Sequence, residues 1–423
     1  MASHPSVLQQ ILREHGRQAL FTLAGRLPVS VWEAAGDALE RMIVCRTAAG
    51  GFVRLRCETC GEMKIIPFSC KSRLCPSCGW LRAQRFVESV EPRLIKCQYR
   101  HLVFSVPREL REVFFWQREL LPRACHAAAA ATLECFQGLC RRHQLLPGMI
   151  ATCHTFGRNL RFHVHVHLLV TEGALQLGGV WQPVHFFPAR EYRRRWQYHL
   201  LTKLRQALPA EHPAQRTLAR LFRRYPTGFI VNVQSSYRSL RLALSYCCRY
   251  LARPPLGERR ILAYDGQYVT FEYKDYKTGQ QRRERCRAER LVRLLLQHVL
   301  PRYARNIHYY GLYRPQARQQ WFAQVRRVSR YPQNLGGPVT RPLSWRERIL
   351  LAFKVDPIHC PNCGTPMAVH DIQWPAPRRA PPGSRRALPT SPGQLTLPLS
   401  PWADDIATRP HPPARSASAR RAV

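Results

Sequence analysis

Residues 161–170 read RFHVHVHLLV, so that His163, His165 and His167 recur at every second position. Side chains two apart in a strand share a face, so the three imidazoles line one side while Phe162, Val164 and Val166 line the other. Neutral imidazoles gathered in this way are good ligands for a divalent cation, although a half-buried strand produces the same alternation with no metal. The outer two histidines lie ~13 Å apart at ~3.3 Å per residue, too far for one ion to take all three unless the strand bends.

A second group able to do chemistry sits in YRSLRLALSYCCRYLAR, whose apolar stripe Leu240, Leu244, Cys247 and Leu251 has helical spacing. Tyr246 and Tyr250 lie four apart on a different face, shared with Ser239 and Arg253, so their hydroxyls emerge side by side. Such a pair either stabilises the flank of a helix or offers two nucleophiles. A phenol titrating near ~10 is a weak nucleophile at neutral pH and needs help with charge on the group it attacks.

The cysteines form a third group. Cys57 and Cys60, followed by Gly61, and Cys75 and Cys78, followed by Gly79, are two CxxC-G knuckles with fourteen residues between them. This is the spacing of a four-thiolate zinc site, the glycine allowing each tight return. Cys45 and Cys70 are left over, as alternative ligands, part of a second site, or small hydrophobes. A further knuckle, Cys360 and Cys363 in DPIHCPNCGTPM, has only His359 and His370 nearby, so a complete second zinc site there must be shared or use histidine. Lys71 and Arg73, with Arg54, Arg56 and Lys64, suit the module's surface to phosphate.

The elements that must position these groups follow from pattern. PRACHAAAAATLECFQGLCRRH predicts a helix ending before Pro147, and GMIATCHTFGRNLRFHVHVHLLVTEG two strands around a Gly157-Arg158-Asn159 turn. TGFIVNVQ predicts a strand, GQYVTFEYKDYKTGQQRRER a hairpin, AERLVRLLLQHVL a helix stopped by Pro301, and NIHYYGLY a last strand. The order predicts an α+β fold around a mainly antiparallel sheet. Four regions separate: 1–90 with a first helix and the cysteine module, 91–312 with the histidines and tyrosines, 313–373 with the later knuckle, and 374–423. The last, rich in proline and arginine and poor in aromatics, is expected to be disordered.

Charge points to the partner. The 423 residues carry 66 Lys+Arg against 26 Asp+Glu, a net charge of +40 that calls for a polyanion, and nucleic acid leads. Only seven of the basic residues are lysine, and arginine both forks onto phosphate and stacks on bases. Arginine bias alone does not account for the shortage of acids. The opening MASHPSVLQQILREHGRQAL lacks a signal-peptide pattern and no window approaches a membrane span, so a cytoplasmic, nucleoid-associated protein is expected. Sixteen cysteines in that setting favour metal ligation over disulfides. No GxxxxGK[ST] occurs, so strand separation falls to a host helicase or to DNA already single-stranded.

HVHVH, then YCCRY about eighty residues later, behind a CxxC–CxxC module, resembles the rolling-circle transposases of the insertion-sequence 91 family, members of the HUH endonuclease superfamily. The likeness covers most of residues 40–370. It takes in CRTAAGGFVRLRCETC and SCKSRLCPSC, TFGRNLRFHVHVHLLVTEG, ALSYCCRYLARPPL, LVRLLLQHVLP with NIHYYGLY, and DPIHCPNCGTPM. It implies an HUH-like antiparallel sheet flanked by helices, a metal pair at His165 and His167, and nucleophiles at Tyr246 and Tyr250. His163 becomes either a third ligand or a DNA contact, and Arg249 and Arg253 beside the tyrosines become candidate DNA contacts. Two departures are Val164, where many relatives have proline, and the two cysteines between the tyrosines. The resemblance implies magnesium or manganese at the histidines, whereas imidazole softness alone favours manganese or zinc. The implied activity is nicking and joining of single-stranded DNA at insertion-sequence termini through 5′-phosphotyrosine links, with host replication machinery as a further partner. Competing readings are a replication initiator or relaxase of the same superfamily, and a noncatalytic zinc-dependent DNA-binding protein.

Overall fold

The computed structural model describes residues 6–91, 94–95, 97–139, 145–176, 179–237, 254–275, 278–317, 343–353 and 355–375. Two helices open it, α1 (Val7–Thr22) and α2 (Val29–Ile43). Ser6 caps α1 by accepting a hydrogen bond from the Gln9 N–H at 3.2 Å. A hairpin, β1 (Phe52–Arg56) and β2 (Met63–Pro67), and the helix α3 (Pro76–Val90) follow. After β3 (Tyr99–Ser105) come α4 (Arg111–Trp116), α5 (Leu121–Leu139), β4 (Leu145–Phe156), β5 (Phe162–Gln176) and β6 (Trp181–Pro183). Next are α6 (Ala189–Ala207), α7 (Ala214–Arg224), β7 (Val231–Tyr237), β8 (Ile261–Tyr264), β9 (Tyr268–Lys274) and β10 (Gln281–Arg287). The described chain ends with α8 (Ala288–Leu296), β11 (Ile307–Gly311), α9 (Trp345–Phe353) and β12 (Ala368–Gln373).

The fold is α+β. Its central sheet runs β11-β4-β5-β3-β7, with β6 on the end of β5, and every pairing is antiparallel. Two smaller antiparallel sheets, β12-β1-β2 and β10-β9-β8, stand beside it. β4 and β5 are buried along most of their length because helices cover one face of the sheet and α3 covers part of the other. On one face Leu102, Phe104, Val164, Val166, Leu168 and Val170 pack with Ala124, Ala128, Trp196, Leu200 and Leu221 from α5, α6 and α7. On the other, Tyr99, Ile150 and Leu169 pack under Phe86, Val87 and Val90 of α3. That cover spans one end of the face, and the histidines occupy the other.

The helix α5, Leu121–Leu139, lies short of Pro147 as the pattern predicts, and Pro147 itself lies inside β4, where a register shift between Pro147 and Met149 absorbs the missing N–H. The helix from Ala288 ends at Leu296, before Pro301. NIHYYGLY forms β11 at the sheet edge, the last strand of the middle region as expected, and beyond that region β12 pairs with β1 and draws the late cysteine knuckle to the N-terminal module. The expectation of a disordered tail falls on residues outside those described, save Trp374 and Pro375.

Gly228 launches β7. Its φ is +83°, its N–H donates to the Tyr225 carbonyl at 3.0 Å, and a Cβ there would strike the Arg193 and Arg194 backbone. Gly228→Ala is therefore expected to lower stability by about 2–4 kcal/mol, read as a fall in the urea midpoint. An unchanged midpoint would show that this turn is free to move.

Candidate metal centre

Strand pairing, not sequence adjacency, builds the histidine cluster. Across β4 and β5, His154 is paired with His165 and Thr152 with His167, so all four share one face. The ring nitrogens of His154, His165 and His167 lie within 4.8 Å of one another, a separation one cation can bridge with modest closure. His154 and His167 are buried and His165 is half-buried, leaving one open side. The third imidazole that strand pairing brings into the group is His154. His163, the nearest sequence neighbour, stacks on His165 at 5.2 Å between centroids and stands outside the cluster, because a nearly straight strand carries it away.

Two hydrogen bonds orient the rings. Nδ1 of His165 lies 3.1 Å from the His163 carbonyl, which can only accept, so Nδ1 donates and Nε2 keeps its lone pair for a metal. Nδ1 of His167 lies 2.9 Å from Nε2 of His101, a buried residue of β3. Burial pushes His165 and His101 down to about 4 and His163 to about 3, and holds His167 well below the ordinary histidine range. All are neutral at physiological pH, the form that ligates a metal. The charge of Arg111 on α4 depresses both His163 and His165 further, so a cation is felt at the cluster. His101, His154 and Arg111 were not singled out in the sequence.

His298 belongs to the core instead. It is fully buried, with Nδ1 3.1 Å from Thr155 Oγ1 and Nε2 2.8 Å from the Leu160 carbonyl, and burial pushes it down to about 3. Its folded pKa lies below its unfolded one, so the unfolded chain binds the extra proton as pH falls below ~6.5 and stability is lost in that direction. Between pH 7 and pH 5 this residue alone is expected to cost about 2 kcal/mol. The urea midpoint of His298→Gln should then depend less steeply on pH than that of the wild type. Equal slopes would remove this residue from the acid response.

The four knuckle cysteines do not form one site. Cys75 and Cys78, at the start of α3, converge with Cys45 and Cys70, whereas Cys57 and Cys60 converge with Cys360 and Cys363. In the first cluster the Sγ of Cys78 is 3.7 Å from that of Cys45 and 3.4 Å from that of Cys70. In the second, Cys57 is 3.4 Å from Cys363, and Cys60 is 3.6 Å from Cys360. The correction has a simple cause: Cys57 and Cys60 sit in the turn between β1 and β2, and β2 carries the chain away from them to Cys70 and Cys75, which meet Cys45 just past the end of α2. The spacing of paired knuckles is blind to such a partner exchange. The Thr365 hydroxyl, followed by the Cys60 backbone N–H, holds the Cys57 thiol down at about 6, so it is largely thiolate at neutral pH. Separated sulfurs held at 3.4–3.7 Å, with no disulfide among the described cysteines, suit a tetrahedral zinc ion in each cluster.

Of the basic candidates, Lys71 is exposed in the loop between Cys70 and Cys75, and Arg73 is half-buried, lowered by burial to about 10 and still cationic. Tyr246, Tyr250, Arg249 and Arg253 lie outside the described residues. The chain on either side of them is placed: Tyr237 packs with the cluster under α3, and Pro254 meets Gly79 of α3.

A sheet face bearing three convergent histidines, beside a cysteine-rich module on a strongly basic chain, suits a protein that acts on nucleic acid. Residues 148–320 match the family model described as "Putative transposase", and residues 11–106 match "Transposase zinc-binding domain". The chain belongs to the insertion-sequence 91 family of transposases with this zinc-binding domain. It is similar to the transposase for insertion sequence element IS801 of Pseudomonas savastanoi pv. phaseolicola, 28% identical over 345 residues, or 78% of this chain and 82% of that protein. It is similar also to "Putative transposase y4qJ" of Sinorhizobium fredii, 28% identical over 337 residues, 76% of this chain and 84% of the relative. No solved structure matches. Among the described residues no helix is long and apolar enough to cross a membrane. The zinc-binding domain and the cysteine clusters together support structural zinc.

Proposed function

We propose that this transposase nicks and rejoins single-stranded DNA at the termini of its insertion sequence, by rolling-circle transposition through 5′-phosphotyrosine intermediates. The observation that carries the reading is the convergence of His154, His165 and His167 on a partly open sheet face, within the residues that match the transposase model. The ends of the segment bearing Tyr246 and Tyr250 support it. Tyr237 and Pro254 are both held against the α3 side of that same face.

The division of labour follows from charge. His154, His165 and His167 would hold magnesium or manganese, and such an ion would supply Lewis-acid polarisation of a nonbridging oxygen of the scissile phosphate. Arg111, whose charge is felt at His163 and His165, would offset charge that grows on the phosphate oxygens during attack. A tyrosine oxygen bonds to phosphorus, its proton passes to solvent, and the 3′-oxygen leaves and is protonated to a free hydroxyl. The phosphodiester bond energy is kept in the phosphotyrosine link, so a 3′-hydroxyl can later displace the tyrosine with no external energy source. A second tyrosine lets the protein hold one strand while it cuts another. Exposed arginines on α7 and β10, among them Arg220, Arg223, Arg283 and Arg285, offer phosphate contacts away from the site.

The test uses single-stranded oligonucleotides carrying the element's ends, manganese, and a label on either terminus. The 3′-labelled strand should become covalently attached to protein, and the 5′-labelled strand should be released with a free 3′-hydroxyl. Binding without any adduct would favour the noncatalytic reading. Cleavage at a replication origin sequence and none at element ends would favour an initiator or relaxase.

A further inference from the structure

We propose that Cys57, Cys60, Cys360 and Cys363 bind a second zinc ion that acts as a clasp, fastening the C-terminal segment 356–373 to the N-terminal module, and that this ion exchanges more readily than the one at Cys45, Cys70, Cys75 and Cys78.

The two halves of the site are the same device used twice. In each knuckle the first cysteine's N–H donates to the carbonyl five residues on, Cys57 to Glu62 and Cys360 to Thr365, both at 2.9 Å. In each, the glycine after the second cysteine adopts positive φ, +75° at Gly61 and +74° at Gly364, and donates back to the carbonyl of the first cysteine. Facing knuckles of this kind present four thiolates to one point. They come from positions 300 residues apart, so one ion here closes most of the chain into a loop. The later pair lies outside both matched stretches, 11–106 and 148–320.

The segment has little else to hold it. The buried cluster where it docks contains Leu55, Cys57, Cys360 and Met367, and two of those four are ligands themselves. All six residues of β12 are exposed, and its pairing with β1 is broken by a register shift between Arg54 and Leu55. Besides that ladder the ties are mostly polar: Arg54 with Asp371 at 3.6 Å, Lys64 with the Asp356 and His359 carbonyls, and the Thr365 hydroxyl with the Cys57 sulfur at 3.2 Å. Exposed pairs of this kind contribute little. A cluster this small, with Val53 and Ile66 at its edge, one exposed ladder and a polar rim, does not offset the entropy of ordering such a segment, so metal binding and docking are one event. The clusters also differ in access. Cys60 and Cys363 are exposed, whereas Cys45, Cys70 and Cys78 are buried, so a chelator reaches the clasp first.

Zinc content and hydrogen exchange on the full chain test this without DNA. The wild type should carry two zinc ions per chain, and Cys360→Ser/Cys363→Ser should carry one. In the double variant amide protection should vanish across 358–373 and persist in β4 and β5. One ion in the wild type, two in the variant, or retained protection at 358–373 would overturn the proposal. Should the variant not fold, stepwise chelation of the wild type decides. The first zinc should leave at least about tenfold faster than the second and unprotect 358–373 alone, and loss of both together would refute the clasp.

Discussion

Replacing His154 by alanine is expected to weaken divalent-ion binding at least about 100-fold and to abolish metal-dependent nicking, while His163→Ala leaves affinity within about threefold. The contrast is sharp because sequence proximity favours His163 and strand pairing favours His154. His154 faces His165 directly across the β4–β5 ladder, and its ring lies 4.6 Å from that of His167. Between these extremes stands His101, which touches His167 through a 2.9 Å hydrogen bond and is not in the cluster. His101→Phe keeps the volume and removes the bond, and a fall of about 10–100-fold is expected, the usual cost of losing the partner that orients a metal-binding imidazole. Calorimetric titration with manganese reads all three variants, and circular dichroism checks that each is folded. Tight manganese binding by His154→Ala alongside weak binding by His163→Ala would return the third ligand to β5 and defeat the assignment made from the structure.

Why His154 escaped the sequence is a matter of register. A three-residue turn at Gly157-Arg158-Asn159 sets His154 opposite Phe162. The connection is longer, with Gly157 N–H bonded to the Arg161 carbonyl at 3.0 Å, and a register shift between His154 and Phe156 brings His154 opposite His165. One such slip changes which residues share a face. His101 was further out of reach, since β3 reaches β5 from a part of the chain that shows no strand signal as clear as HVHVHLLV. What could be read was whatever a local period encodes: the antiparallel α+β class, the strand at His163–His167, the hairpin before Arg287, and the knuckles as metal-binding units. What could not be read was the exchange of partners between knuckles, because a CxxC pair specifies half a site and says nothing about which other half will come to it. Cys360 and Cys363 had only nearby histidines to recommend them, and the partner lay 300 residues upstream.

Tyr246→Phe and Tyr250→Phe should each stop strand transfer, with a loss of at least about 10³-fold, because phenylalanine keeps the ring and removes the attacking oxygen. The two variants need not behave alike in the earlier step. If one tyrosine makes the first cut, its variant forms no adduct, while the other still forms adducts and fails to complete the exchange. A labelled element end, followed first for adduct and then for joined product, separates the two roles. Metal affinity gives an independent check, because neither hydroxyl belongs to the histidine cluster and manganese binding should be unchanged in both variants. Normal product formation by both single variants would rule out two obligatory nucleophiles. Loss of manganese binding in either would show instead that the tyrosines support the metal centre. The clasp bears on neither result, since its cysteines lie on the β1–β2 module and the late knuckle while His154, His165 and His167 belong to β4 and β5. A protein depleted of the exchangeable zinc should therefore still cut a short oligonucleotide. Only steps that need the C-terminal segment in place should suffer, which makes zinc occupancy a means of separating chemistry from assembly in the same molecule.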